Sequence, residues 1–207
     1  RILRDWIEIQ IINDYIDEVS DNSIILLDGN LHGRYTHLLN IPENNRQNEE
    51  GSLIENISLM EQSLDLILAM QTLYKSCEDR KITLVGVSKF SRTQNFTNAL
   101  KRKKGYGSSS PDLLDVDVLY RWKEKSTGQT TPLVLGVPKG VQKRGLNRLD
   151  RIKNRLREKE RSEDTTRRIQ AIENYAYAPA IIMYHMIASE YRQPLRVDIL
   201  ASCLGRT

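Results

Sequence analysis

The feature that most constrains the fold is a pair of short apolar runs, each followed at once by polar residues. They are Ile24–Leu27 in "SIILLDGN" and Ile82–Val87 in "KITLVGVSK". Continuous apolar runs of this length are typical of strands buried in a sheet. A helical pattern from Leu53 to Tyr74 separates the two runs. Strands that alternate with helices predict an α/β domain with helices on the faces of the sheet.

The whole chain, residues 1–207, fits one domain. With 39% hydrophobic residues, a chain of this length can form one core of ordinary size. Its apolar runs are too short to cross a membrane. Cys77 and Cys203 form no metal-ligand spacing, so we expect a cytoplasmic protein with reduced thiols. The remaining patterns predict a helix over 2–19, a loop over 32–52, a helix over 112–122, a strand over 133–137, a polar helical region over 146–175, and helices over 179–191 and 196–204.

Basic residues are concentrated in two stretches, although the net charge is only +4. Residues 138–168 carry twelve basic and five acidic side chains. Residues 89–104 carry no acid and six basic residues, which are Lys89, Arg92, Lys101, Arg102, Lys103 and Lys104. Such stretches favour a polyanion such as DNA or RNA, because neutralised phosphates release counterions. A solvated helix face with ion pairs one turn apart explains them equally well.

Asp28 directly follows the first apolar run, where a packed strand should hold no carboxylate. Ligands of α/β sheets gather beyond the carboxyl ends of strands, and Gly29 leaves space for a close approach. A divalent cation could neutralise the acid there, which makes Asp28 a candidate catalytic and metal-binding residue. The alternative is a plain turn, since Asp-Gly-Asn is a good turn sequence.

Two more residues could serve the same edge of the sheet. Glu8 lies within about 40° of Ile12 on the helical wheel, on the apolar side of its helix. A buried carboxylate needs a partner or a cation, and an ion pair with Arg4 is the alternative. Lys89 ends the second strand, where its ammonium would suit a scissile phosphate. The alternative for Lys89 is an ordinary surface lysine.

The segment "YAPAIIMYHMIA" places Tyr177 eight residues before His185. A helix started by Pro179 could bring both side chains to one end of the sheet. A hydrogen-bonded core histidine is the alternative for His185. Further acids follow the Gly/Ser-rich segment, and nothing ranks one above the others: Asp112, Asp115 and Asp117.

Taken in order, five stretches resemble the NurA nuclease family. They are the helix with Glu8, "SIILLDGNL", "LVGVSKFSR", "SPDLLDVDVL" and "YAPAIIMYH". In that family a Glu on a helix precedes a hydrophobic strand that ends in Asp-Gly, and a strand with a Val-Ser-Lys-like end follows. A Tyr-Pro motif with an Ala-His pair comes near the C-terminus, at the spacing of Tyr177 and His185. The resemblance covers residues 4–120 and 172–204.

The resemblance implies an RNase H-like core, with a central mixed sheet flanked by helices. It implies a manganese-dependent nuclease, with Mg²⁺ as the alternative ion, that hydrolyses DNA phosphodiesters. Glu8 and Asp28 would be its metal-binding acids. Tyr177 and His185 would be C-terminal site residues, and Lys89 the basic position after the strand. NurA proteins act on DNA ends as dimers docked on a hexameric HerA-type ATPase, in end processing or in defence against phage DNA.

Two departures from the family pattern define the alternatives. The family's first catalytic Asp lies on a strand before the Glu helix, whereas this sequence begins at Arg1 inside that helix. We therefore expect an incomplete N-terminus; loss of that strand would instead leave an inactive subunit that binds DNA or assembles with the translocase. The basic stretch 138–168 has no family counterpart and is expected to be a helical insertion. A haloacid dehalogenase-type phosphotransferase is disfavoured, because Asn30 stands where that chemistry needs a second acid.

The C-terminal motif also departs from the family pattern. Ala178 stands between Tyr177 and Pro179, where the family has Tyr followed directly by Pro. Tyr184 replaces the usual Ala before His185.

Overall fold

The computed structural model describes residues 2–35, 50–89, 94–104, 113–122, 128–130, 132–135, 150, 153–154, 163–174, 180–187 and 194–203. The helices are α1 (Ile2–Tyr15), α2 (Leu31–Tyr35), α3 (Glu50–Asp79), α4 (Asn95–Lys104), α5 (Asp115–Trp122) and α6 (Glu163–Asn174). The strands are β1 (Ile24–Asp28), β2 (Thr83–Ser88), β3 (Gly128–Gln129), β4 (Leu133–Leu135), β5 (Ile181–Ile187) and β6 (Leu195–Leu200). Short 3₁₀ helices span Ile16–Glu18 and Ala201–Cys203.

The described strands form one mixed sheet in the order β1-β2-β6-β5-β3, and β4 also pairs with β5. Strands β1 and β2 are parallel, while β6, β5, β3 and β4 each run antiparallel to the neighbour they pair with. The carboxyl ends of β1, β2 and β5 therefore lie at the same edge of the sheet. This six-stranded mixed sheet with helices confirms the α/β prediction and is compatible with an RNase H-like core.

One face of the sheet is covered by helices, and the alternation of side chains explains which one. Leu27 of β1 and Leu84 of β2 are buried in the same core cluster as Ile9 of α1 and Leu64 of α3. A hydrogen bond of 3.0 Å from Asn13 Nδ2 to the carbonyl of Ala69 also joins α1 to α3. Successive strand residues point to opposite faces, so the neighbours of Leu27 point away from this core.

The opposite face leaves large apolar side chains exposed at β1. Ile24 and Leu26 are 65% and 69% exposed, and Val134 of β4 on the same face is 73% exposed. Asp28 continues the row of Ile24 and Leu26, so its side chain belongs to this open face.

Several elements agree with the sequence-based predictions. The two apolar runs form β1 and β2, the helix between them extends over Glu50–Asp79, and Leu133–Leu135 is a strand. Helix α1 followed by the 3₁₀ turn corresponds to the predicted helix over 2–19. No helix in the described ranges is long and apolar enough to cross a membrane.

The predictions for the C-terminal segments were wrong. The predicted helices over 179–191 and 196–204 contain strands β5 and β6 instead. In β5 the side chains of Ile181, Met183 and His185 are buried. On the other face, Ile182 and Tyr184 are partly buried and Met186 is exposed. An apolar segment of this length fits a helix or a strand equally well by composition, and the lateral hydrogen bonds of the sheet decide for the strand.

The predicted loop over 32–52 was also wrong at both ends. Helix α2 occupies Leu31–Tyr35 and α3 begins at Glu50, while residues 36–49 lie outside the described part of the chain. Within the polar helical region over 146–175, α6 is a helix, and residues 150 and 153–154 are helical as well.

Candidate active site at the carboxyl edge of the sheet

The turn after β1 lies very close to β2. The amide of Gly29 donates a 2.7 Å hydrogen bond to the carbonyl of Val87, which extends the β1–β2 ladder by one residue. Gly29 has φ +112°, a conformation that side chains rarely adopt. A Cβ on Gly86 would lie 2.6 Å from the Gly29 carbonyl oxygen, so only glycine allows this approach. The position of Asp28 is therefore fixed by backbone packing against β2.

Helix α2 follows this turn and is anchored at its first turn by two side chains. Asn30 accepts a hydrogen bond from the amide of Gly33 through Oδ1. Asp198 of β6 accepts a 3.2 Å hydrogen bond from the amide of His32 through Oδ2. These bonds satisfy amide groups that a helix leaves unpaired at its start. They also fix the direction in which α2 leaves the sheet.

Arg34 on α2 joins the two acids that the sequence singled out. One guanidinium nitrogen, Nη2, lies 2.7 Å from Oε2 of Glu8 and donates a 2.6 Å hydrogen bond to the carbonyl oxygen of Asp28. The Arg34 side chain is only 5% exposed, and that of Glu8 is 34% exposed. The alternative interpretation, an Arg4–Glu8 ion pair, was wrong, because Glu8 pairs with Arg34 while Arg4 lies 3.3 Å from Asp5.

The carboxylate of Asp28 remains open to solvent. Asp28 is exposed, and no described residue forms an ion pair or a side-chain hydrogen bond with its carboxylate. The plain turn in which Asp28 bonds its own backbone is therefore not what the structure shows. Asp28 and Glu8, called the acid pair below, are brought to the same strand end by Arg34.

Lys89 lies at the same edge as Asp28. It follows β2 and is exposed, two residues beyond Val87, which is the register partner of Asp28. The basic residues 101–104 form the C-terminal end of α4. Arg92 and Tyr177 lie outside the described residues, so their predicted roles rest on the sequence alone.

A second polar group, called the buried cluster below, lies under the helices near the ends of β5 and β6. It comprises Asp115, His185, Arg196 and Asp198, all 0–1% exposed. Arg196 donates from Nε and Nη2 to the two oxygens of Asp198, at 2.7 and 3.0 Å. Such a bidentate pair is the strong form of this interaction, and burial without it would be costly.

Asp115 holds the N-terminus of α4 within the same cluster. Its two oxygens accept hydrogen bonds from the amides of Phe96 and Thr97, at 3.1 and 2.8 Å. A carboxylate at this position also interacts favourably with the helix dipole. Asp115 thus fixes the helix that ends in the basic residues 101–104.

His185 is fully buried in β5, and no described residue hydrogen bonds to either of its ring nitrogens. The ring of Phe96 packs edge-on at a centroid distance of 6.1 Å. Burial lowers the pKa of His185 below its ordinary value of 6.5; Asp115 and Asp198 oppose this effect, and Arg196 adds to it. His185 is therefore neutral at pH 7.

The structure brings Asp28 and His185 to one edge of the sheet but not to one site. His185 pairs in register with Arg196, which pairs with Ser88, one row beyond the Asp28–Val87 pair. The two residues thus point to opposite faces, with β2 and β6 between their strands. At about 4.8 Å per strand, they are separated by roughly 14 Å along the sheet. Helix α2 links the two groups, since it bonds Asp198 at one end and carries Arg34 at the other.

The acid pair offers carboxylate oxygens of the kind that a divalent cation binds, although the Asp28 side chain lies on the open face and Glu8 reaches the strand end from α1 on the covered face. No described group of three or more His, Cys, Asp or Glu side chains is placed to hold a metal ion. Two carboxylates are nevertheless enough for Mg²⁺ or Mn²⁺, because Mg²⁺ usually keeps several waters and binds one or two carboxylates together with substrate phosphates. The open carboxylate of Asp28 and the second oxygen of Glu8 are such donors.

Sequence reasoning missed the residues that organise this edge. Arg34 fell within a predicted loop, and Arg196 and Asp198 within a predicted helix. The signal for the last two was present, since Arg196 and Asp198 alternate with Val197 and Ile199, as in a strand. Nothing local singles out Arg34, because its partner Glu8 is 26 residues away.

The fold and the acid pair define an α/β protein with a carboxylate site at the edge of its sheet and a core compatible with the RNase H type. The profile of the NurA domain matches residues 11–204, nearly the whole chain, and the protein belongs to the NurA family. NurA proteins are nucleases that are generally metal-dependent and act on DNA. The match includes Asp28, Lys89, Tyr177 and His185, and it begins after Glu8. No curated protein and no solved structure matches the sequence.

Proposed function

We propose that this protein is a Mn²⁺- or Mg²⁺-dependent deoxyribonuclease that hydrolyses phosphodiesters at DNA ends. The observation that carries the proposal is the open carboxylate of Asp28 at the end of β1, with Glu8 held beside that strand end by Arg34. Membership of a nuclease family supports the reaction class. The oxygen donors of the acid pair suit these hard ions better than Zn²⁺.

The chain's own residues would act on the substrate as follows. Asp28 and the second oxygen of Glu8 would hold the ion, which, when bound, supplies an activated water and positive charge near the leaving oxygen. Lys89, exposed at the neighbouring strand end, would attract the phosphate. His185 does not contact this site, because it is buried in β5, with β2 and β6 between its strand and that of Asp28. It would instead support the edge through its packing with Phe96.

DNA would be held by the basic residues at the C-terminal end of α4. Residues 101–104 close α4, whose N-terminus is fixed by Asp115. Basic residues at a helix C-terminus also favour helix stability. The basic stretch 138–168 is proposed as an insertion in this single domain that adds phosphate contacts.

The proposed partners are a second copy of the chain and a hexameric HerA-like ATPase, in DNA end processing or defence against phage, in the cytoplasm. Support comes from α1, which exposes Leu3, Ile7, Ile11 and Tyr15, each 44–58% exposed. These residues are spaced four apart and thus form one apolar stripe on the helix. Contiguous apolar stripes on a soluble surface are typical of protein contacts.

The test is cleavage of end-labelled DNA by the protein with its HerA-like partner, in Mn²⁺, Mg²⁺ or EDTA. Asp28→Ala should reduce metal-dependent cleavage more than about a hundredfold, because it removes a ligand. Asp14→Ala is the matched control, since Asp14 is an exposed acid on α1. The control should cut normally, and both variants should retain DNA to the same salt concentration. Normal cleavage by Asp28→Ala would contradict the assigned site.

The alternative function is a non-catalytic subunit that binds DNA or assembles with the translocase. One observation favours it: Glu8 already has a cationic partner, so part of the charge that would attract a metal ion is neutralised by Arg34. Salt-sensitive DNA retention without cleavage, in every metal and with the partner present, would establish this alternative.

A further inference from the structure

Arg34 uses a single nitrogen to connect the two members of the acid pair. Nη2 carries two hydrogens; one goes to Oε2 of Glu8 and the other to the carbonyl oxygen of Asp28. The contact to Asp28 is to its backbone, so its carboxylate is not consumed. The contact to Glu8 uses one oxygen and leaves the second. Arg34 therefore connects both acids while leaving each of them a carboxylate oxygen that could bind a metal ion.

Packing on both sides holds Arg34 in the position where it connects Glu8 to Asp28, called the bridge below. Helix α2 is tied to β6 through the His32–Asp198 hydrogen bond, and the turn before it is pressed against β2 at Gly86. A Cβ on Gly29 would lie 3.5 Å from Nη2 of Arg34, so the turn passes directly beside the guanidinium. A side chain so confined at 5% exposure has few alternative positions.

The buried charge of Arg34 favours a fixed position for Glu8, its counterion. Glu8 is the only carboxylate among the described residues that pairs with Arg34, and Nη1 of Arg34 is buried with no hydrogen-bond partner among them. If Glu8 turned both oxygens toward a metal ion, a buried guanidinium would lose its counterion. Leaving a buried charge without its counterion is strongly unfavourable.

We propose that Arg34 is the positioning residue of the acid pair, which holds Glu8 at the end of β1 so that Glu8 offers one oxygen to a divalent cation and keeps the other on Arg34. This deepens the proposed function and rests on it for the role of the cation. Glu8 would act as a monodentate ligand. Arg34 itself would touch neither ion nor DNA.

The experiment is a double-mutant cycle read out by Mn²⁺ binding, measured from the electron paramagnetic resonance of the free ion. The proteins are the wild type, Glu8→Gln, Arg34→Met and the double variant. Arg80→Met is the matched control. Arg80 is also a partly buried arginine, which lies 2.8 Å from Asp21 and bonds backbone carbonyls, but its partners exclude the acid pair.

Each single variant should weaken Mn²⁺ binding about tenfold or more, as losses of supporting contacts at metal sites do. The double variant should bind no more than about twofold more weakly than Glu8→Gln, because Arg34 acts through Glu8. Arg80→Met should bind Mn²⁺ as the wild type does. Losses that multiply in the double variant, or wild-type affinity in Arg34→Met, would overturn the proposal.

A folding defect does not leave the question open. If Arg34→Met does not fold, Arg34→Lys keeps the charge without the forked guanidinium. Weaker Mn²⁺ binding by Arg34→Lys supports the proposal, and unchanged binding and cleavage overturn it.

Failure of the proposed function is distinguishable from failure of the bridge. If the wild type neither binds Mn²⁺ nor cuts DNA, the metal-dependent function is wrong. Urea unfolding of the same four proteins then decides on the bridge in the metal-free state. A midpoint shift in the double variant that is no larger than the larger single shift supports it, and additive shifts overturn it.

Discussion

Replacing Gly86 by alanine should displace the turn that carries Asp28. The added Cβ would lie 2.6 Å from the Gly29 carbonyl oxygen, 3.0 Å from Cγ of Leu31 and 3.2 Å from its amide nitrogen. Two of these three atoms belong to the backbone, so no side-chain rotation relieves the contact. The turn can retreat only by stretching the Gly29–Val87 hydrogen bond.

The loss in free energy of unfolding follows from these contacts. Overpacking of this kind costs about 1–3 kcal/mol, and the weakened hydrogen bond adds about 1 kcal/mol. Reduced freedom of the unfolded chain returns about 0.5 kcal/mol, because alanine replaces glycine. We expect the free energy of unfolding to fall by about 1.5–3.5 kcal/mol. Nuclease activity should fall as well, since the acid pair depends on this turn.

The assay is urea unfolding followed by circular dichroism, with Gly128→Ala as the control. Gly128 has φ +126°, and a Cβ there would meet nothing within 4 Å, so the control measures backbone strain without a clash. That strain should cost about 1 kcal/mol. A Gly86→Ala protein no less stable than the control, with normal cleavage, would refute the reasoning about the turn.

Two further predictions concern the buried cluster. Because burial lowers the pKa of His185 in the folded state, the unfolded state binds the proton more readily. Stability should therefore be lost as the pH falls from about 6.5 toward the folded-state pKa. His185→Gln should remove this contribution to the pH dependence of the urea midpoint between pH 7.5 and pH 5. Asp115→Asn should reduce stability by about 1–3 kcal/mol, because the amide replaces one of the two accepting oxygens with an NH2 group that faces the backbone N–H of Phe96 or Thr97. Asp117→Asn, at an exposed position, should cost less than 1 kcal/mol in the same unfolding experiment, and equal losses would contradict the assigned role of Asp115.

The site was partly predictable, and the residues show where prediction failed. Asp28 and Lys89 were expected at one edge of the sheet, and the structure places them there, because both directly follow apolar runs that form parallel strands. His185 was expected on a helix near the same site. It lies on strand β5 instead, with its side chain on the opposite face of the sheet from that of Asp28. The predicted location of a residue was correct only where the predicted secondary structure around it was correct.

Sequence patterns alone were enough to predict the strands β1 and β2, the helix between them, the acid at the end of β1 and membership of the NurA family. Each of these depends on patterns within about twenty residues or on motifs in a given order. The tertiary structure was needed to show that "IIMYHMI" is a strand, because its composition suits a helix or a strand and the hydrogen bonds to β6 and β4 select the strand. It alone decided that Glu8 pairs with Arg34 and that Asp198 anchors α2, since those partners are far apart in the chain. Ion pairs between distant segments depend on how elements pack, and no local pattern encodes that.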